Sequence, residues 1–192
     1  MNWNNLNNAT FENDIVRLRR LRVSDREALK KIVFQPSTWT HFVAQINTIA
    51  DLDTFIEQAI QDSLNGTRAV FVIIDKATGE LVGSTAYGNI SKNEAKLEIG
   101  WSWLCEEARG TGVNKAAKAL LINHAFEALG CERVEFKTDI LNTVAKAGLA
   151  SIGAMEEGVL RSFNYMPGGR RRDVVYYSIL RPEWLNTRAL RD

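Results

Sequence analysis

Cysteine, histidine and proline are scarce in this chain of 192 residues, which has two, two and three of them. Cys105 and Cys131 form no C-x-x-C pair and sit in apolar surroundings. That argues against a zinc site or a disulfide framework and favours a reducing, cytoplasmic setting. Charge of one sign is also lacking, since 24 Lys and Arg face 23 Asp and Glu for a net +1. No field for a polyanion follows, and direct nucleic-acid binding is not expected. Nowhere does an apolar run approach the roughly 18 to 20 residues of a membrane-spanning helix. The opening MNWNNLNNATFEND has neither the basic nor the apolar region of a signal peptide, so residues 1–13 are expected as a loose arm on a soluble protein. With 45% hydrophobic residues and no linker-like stretch, the whole chain, 1–192, is expected to be one domain.

What is present is a mixed α/β pattern. IVRLRRL (15–21) alternates like a half-buried strand. Ser24 and Glu27 have capping-box spacing, so SDREALKKIVF predicts a short helix ended by Pro36. In ADLDTFIEQAIQDSLNG one stripe carries Leu52, Phe55, Ile56, Ala59, Ile60 and Leu64, predicting a second helix closed by Gly66. RAVFVIID and LVGSTAYGNI flank the turn KATGE as a hairpin, and KLEIGWSWL predicts a third strand of this run. NKAAKALLINHAFEALG has clear helical spacing up to Gly130, and it carries His124 on its apolar stripe as a core residue. A strand in RVEFKTDI, a helix in NTVAKAGLASIG and a hairpin turning at Pro167–Gly169 complete the order. The arginines that follow, 170–172, are expected at a solvated hairpin tip.

Between the strand KLEIGWSWL and the long helix lies EEARGTGVN (106–114). Free amides at a helix start, with the helix dipole behind them, form an anion site. Gly110 and Gly112 allow the positive φ of an anion-binding nest, with the Thr111 hydroxyl expected free to donate one more hydrogen bond. The spacing fits neither a P-loop nor the dinucleotide fingerprint, so NTP and NAD are not indicated.

This glycine turn, the strand VEFKTD, Asn142 with Ala145, and the run from Leu149 through Ile152, Gly153 and Ala154 to EEG together resemble the GNAT acetyltransferase superfamily. Within it the chain is most similar to the RimJ/RimL, ribosomal-protein-alanine N-acetyltransferase, type, over residues 14–184. The resemblance implies a GNAT fold, a splayed, mostly antiparallel sheet flanked by helices, and acetyl transfer from acetyl-CoA to a primary amine without a metal. It implies that the amides of Arg109, Gly110, Thr111, Gly112, Val113 and Asn114 cradle the pyrophosphate. Glu107 departs from the family's Gln or Arg, and Arg109 is expected to supply the missing charge. The backbone of Trp101, Ser102 and Trp103 is implicated in binding pantetheine. Asn142 is implicated in cofactor contact, and an N-cap role also suits its position.

Glu98 matches the position of a general base in many relatives, and strand alternation puts it on one face with Gly100 and Ser102. An ion-paired strand glutamate is the alternative. Ser102 is a candidate to protonate the leaving thiolate. The acceptor side is assigned to Trp39, His41, Arg161 and Tyr165, and a loop aromatic cluster packed on the sheet is the alternative for the segment around Trp39, His41 and Phe42. The tyrosine acid of other branches falls at Leu149 and is absent. The expected acceptor is a protein N-terminal α-amine, including that of a ribosomal protein, with a small-molecule amine or a non-catalytic acyl-CoA sensor as alternatives. A homodimer is a reasonable assembly for the exposed strand edges.

Overall fold

The computed structural model describes residue 6 and residues 9–189. In chain order come β1 (Thr10–Glu12), β2 (Val16–Arg20), α1 (Arg26–Lys30), α2 (Ile49–Leu64), β3 (Ala69–Asp75), β4 (Leu81–Ser91) and β5 (Lys96–Leu104). Then follow α3 (Val113–Glu127), β6 (Arg133–Asp139), α4 (Thr143–Ser151), β7 (Met155–Tyr165), β8 (Arg171–Leu180) and α5 (Arg181–Ala189). The strands make one sheet in the order β1-β2-β3-β4-β5-β6-β8-β7. Each neighbouring pair is antiparallel except β5 and β6, which are parallel and joined through α3. A parallel pair needs such a crossover.

The sheet buries both faces. Against one lie α3 and α4, with Ala117, Leu121, Ala125, Phe126 and Leu149 packed on Phe71, Tyr87, Leu97 and Ile99. Against the other lie α1, α2 and the segment before α2, with Leu29, Leu52, Ile56 and Trp39 packed on Val70, Val72, Ala86 and Trp103. Helix α2 keeps its predicted stripe up to its last turn, where Leu64 is 76% exposed. It starts at a capping box: Thr48 Oγ1 accepts from the Asp51 N–H at 3.1 Å, and the Asp51 carboxylate accepts from the Thr48 N–H at 2.9 Å.

Several boundaries differ from expectation for local reasons. The Ser24–Glu27 box does not form. Asp25 accepts from the Arg22 N–H at 2.8 Å and from two Arg19 nitrogens, so an acidic side chain two residues earlier caps a 3-10 turn, Val23–Asp25, and α1 shortens to five residues. Pro36 opens a 3-10 turn, Pro36–Thr38, instead of closing α1. Within the expected arm, Thr10–Glu12 pair with β2 and Leu6 is buried, while residues 1–5 and 7–8 lie outside the described ones. Helix α5 has no apolar stripe for periodicity to find. Its start is marked by Glu183 accepting the Leu180 N–H at 2.8 Å, and Trp184 stacks on Phe126 with centroids 5.2 Å apart.

Phe126 is fully buried on the core side of α3 beneath that tryptophan. Phe126→Ala should cost about 3–5 kcal/mol, lowering Tm by roughly 10 °C in a chain of this size. Thermal unfolding followed by circular dichroism measures it.

Candidate functional site

The parallel register between β5 and β6 runs only through Lys96, Leu97 and Glu98 against Arg133, Val134 and Glu135. Beyond it the two strands part, leaving Gly100–Leu104 on one arm of a notch and Lys137–Asp139 on the other. A bulge turns the first arm. Ala86 faces Gly100 and Ser84 faces Trp103, so the single residue Thr85 stands opposite both Trp101 and Ser102. Trp101 takes φ 52°, a left-handed conformation that a bulky residue rarely adopts. The extra residue breaks the alternation on which Glu98 and Ser102 were expected to share a face. Ser102 turns instead to Thr85, with Oγ 2.8 Å from Thr85 Oγ1, and donates to the Gly100 carbonyl at 3.3 Å.

At the end of that arm the glycine turn enters α3. Gly110 and Gly112 take φ 75° and 90°, as the nest requires, and nothing lies within 4 Å of a Cβ built on either. Among the described residues the N–H groups of Gly110, Thr111 and Gly112 donate to no protein acceptor, and the first intrahelical bond runs from the Ala116 N–H to the Gly112 carbonyl. Unspent amides at a dipole's positive end, with open space above them, fit a phosphate. Two expectations change here. The Thr111 hydroxyl is not free, because it donates to the Ala108 carbonyl at 2.7 Å. The Arg109 guanidinium does not face the cradle either: it donates to the Leu104 carbonyl at 3.2 Å, Ser37 Oγ at 3.1 Å and Thr38 Oγ1 at 2.6 Å. Its charge is committed to fastening the turn to residues 36–38. The adjacent Glu106 N–H donates to Gln35 Oε1 at 2.9 Å, adding a second tie.

A polar cluster fills the notch. Glu98 is 3% exposed, and its Oε2 accepts from Asn89 Nδ2 at 2.7 Å and Lys137 Nζ at 3.0 Å. The expected half-open carboxylate is therefore a nearly enclosed ion pair. Lys137 also lies 5.8 Å from the Trp101 ring centroid, and Arg68 stacks on the same ring at 5.4 Å. On the far arm Asp139 is buried, accepts from the Leu141 N–H at 3.0 Å and pairs with Arg170. Burial alone would raise the Asp139 carboxyl, but Arg170, the Leu141 amide and the charge of Arg172 outweigh it and hold the group below the usual carboxylate range. His41 hangs over this arm with Nδ1 4.0 Å from Asp139 Oδ2. Asn142 begins α4, its Oδ1 accepting from the Ala145 N–H at 3.0 Å.

Residues 16–155 match the model of the acetyltransferase (GNAT) domain family. The chain belongs to that family. A Bacillus subtilis (strain 168) protein named "Putative ribosomal N-acetyltransferase YdaF" is 32% identical over 182 residues, 90% of this chain and 94% of that one. The crystal structure of a "putative acetyltransferase" from T. thermophilus superposes with TM-score 0.84 at 32% identity, covering 94% of this chain and 93% of its own. Mycobacterium smegmatis RimJ in complex with CoA-disulfide shares the fold, with TM-score 0.77 at 24% identity over 91% of this chain and 87% of its own.

The acetyltransferase brings only part of the expected acceptor side together. Trp39 is a core residue, 4% exposed, with Nε1 donating to the Val33 carbonyl at 2.9 Å and its ring against Phe42 and Trp103. Arg161 and Tyr165 lie exposed on the edge strand β7, where Arg171 covers the Tyr165 ring at 4.5 Å. The arginine run is not a uniformly solvated tip. Arg171 stays outside, Arg170 reaches Asp139, and Arg172 is 7% exposed with Nη1 donating to the His41 carbonyl at 3.4 Å. Asn89, Lys137 and Asp139 were not singled out in the sequence, and Arg170 and Arg172 were expected only at a solvated tip. Lys137 and Asp139 were visible as opposite charges in the segment KTD and Arg170 and Arg172 as part of a basic run, but nothing local marked them as one charge network.

Proposed function

We propose that this acetyltransferase moves acetyl from acetyl-CoA to the N-terminal α-amine of a protein. The observation that carries the reading is the pairing of two unlike surfaces along one splayed strand. The open amide cradle at 110–114 suits a pyrophosphate, and a notch walled by Glu98, Lys137, Asp139 and His41 suits an amine. The free edge of Trp101–Trp103 between them is assigned to pantetheine, and its amides to the oxyanion that develops on the thioester. Asn142 keeps a side-chain N–H₂ for the cofactor while its oxygen caps α4. The Ser102 hydroxyl, beside the bulge, is assigned to the leaving thiolate. Glu98 holds Lys137 and Asn89 in place and so shapes the notch from below.

A protein acceptor is favoured because the relative from B. subtilis carries a ribosomal N-acetyltransferase name. Arg161 and Tyr165, exposed on β7, then belong to the surface over which the acceptor chain runs. Exposed Val159, Leu160 and Phe163 on the same strand offer an edge for a second copy. Free, buried Cys105 and Cys131 suit a cytoplasmic setting. Among the described residues no helix is long and apolar enough to cross a membrane.

Thiol release from acetyl-CoA, measured against peptides with free Ala, Ser or Met termini and against polyamines, amino acids and aminoglycosides, tests the reading. Turnover confined to the peptides is expected. Turnover confined to a small amine would move the acceptor class, and CoA binding without turnover would make the chain a sensor.

A further inference from the structure

Nδ1 of His41 is buried and has no hydrogen-bond partner among the described residues, while the side chain as a whole stays 30% exposed. The buried nitrogen faces Asp139 Oδ2 at 4.0 Å, and the Asp139 side chain is fully enclosed. Both ends of this pair are fixed from the start of β8: Arg170, just before the strand, holds the carboxylate, and Arg172 on it holds the His41 carbonyl. The charged groups around the imidazole are thus Asp139 from β6, Arg170 from the turn before β8 and Arg172 from β8.

We propose that His41, oriented by Asp139, takes the proton from the acceptor ammonium. The inference rests on the acetyl transfer proposed above. A carboxylate on the Nδ1 side selects the Nδ1–H tautomer and leaves the lone pair on Nε2. The 4.0 Å separation exceeds a hydrogen bond, as in many unliganded active sites, where such bonds close when substrate binds. Glu98 is a poorer candidate, since its Oε2 is occupied twice and 3% of the residue reaches solvent. In the step, Nε2 accepts one ammonium proton and the neutral nitrogen forms a C–N bond to the thioester carbonyl. The C–S bond then breaks, one of the two remaining nitrogen protons passes by way of the Ser102 hydroxyl to the departing thiolate, and the imidazolium returns its proton to solvent.

Two measurements test it. Long-range ¹H–¹⁵N spectra of the ¹⁵N-histidine protein, with its two histidines resolved by His124→Gln, should show neutral His41 as the Nδ1–H tautomer, and Asp139→Asn should abolish that preference. An Nε2–H tautomer indifferent to Asp139→Asn overturns the proposal. The second is the pH profile of kcat/KM with an accepted peptide. Wild type should rise through the range where imidazoles ionise, roughly pH 5 to 8. His41→Gln should lose that limb and about a hundredfold in rate at unchanged CoA affinity. An active wild type whose limb survives His41→Gln sinks this inference alone, whereas a wild type inert on every amine sinks the acetyl-transfer reading with it.

Discussion

Gly112→Glu should weaken acetyl-CoA binding by about a hundredfold or more while leaving the fold intact. Gly112 is the residue before the first turn of α3 and takes φ 90°. An L side chain there costs about 1–2 kcal/mol in backbone conformation alone. Nothing lies within 4 Å of the added Cβ, so steric clash with the protein contributes nothing. The larger effect is electrostatic. The N–H groups of 110–112 and the dipole of a 15-residue helix converge on this corner, and a tethered carboxylate would occupy the site that the pyrophosphate needs. The loss expected in CoA affinity is about a hundredfold or more, roughly 2.8 kcal/mol. Gly112→Ala separates the two contributions: it keeps the conformational strain without the charge and should lose about tenfold. Isothermal titration with CoA, alongside Tm for each variant, makes the comparison. Equal affinity in Gly112→Glu and wild type would remove the cradle from the mechanism.

The cradle was legible in the sequence because it is built from backbone. Two glycines one residue apart before a helix state their φ angles and their free amides directly, and Gly110 and Gly112 have the geometry that spacing requires. Side-chain roles in the same turn were not legible. Arg109 and Thr111 stand in the anion motif, but their partners come from residues 36–38 and from Ala108, a tertiary contact and a local bond that no periodicity encodes. The strands and main helices followed their periods for the same reason the glycines did, since each is a local pattern. What failed was alternation across a bulge. Counting by twos from Glu98 reaches Ser102 on the wrong face, because Trp101 adds one residue opposite Thr85. The buried charges were hidden differently. Lys137 and Asp139 sit on a strand that looks half-solvated, and only the arrival of Glu98, Arg170 and the 41 loop in space turns them into a network. Trp39 was open to two readings, a wall of the acceptor site or an aromatic cluster packed on the sheet, and its enclosure by Val33 and Trp103 fits the second.

The second large effect should come from a residue that touches no ligand in this scheme. Gly88 pairs with Glu98 across β4 and β5, and a Cβ built on it would lie 2.4 Å from two atoms of the Trp101 ring. The ring fills the place of a side chain, which is why glycine stands there. Trp101 is held in its left-handed conformation by that seat, with Arg68 at 5.4 Å and Lys137 at 5.8 Å from its centroid. Gly88→Val would evict the ring. Once unseated, Trp101 has no reason to keep φ 52°, so the bulge would relax and the edge that positions Trp101–Trp103 would shift. Overpacking alone should cost about 1–3 kcal/mol of stability, whereas kcat/KM should fall about a hundredfold, the penalty for misplacing reacting groups by about an ångström. Trp101→Gly discriminates this account from general damage. It removes the ring and accepts the positive φ, so Gly88→Val added to it should cost little further stability, giving a double-mutant coupling of about 1–2 kcal/mol. Additive losses in the cycle, measured by chemical denaturation, would mean that Gly88 and Trp101 act independently and that the strained bulge is not seated by the glycine.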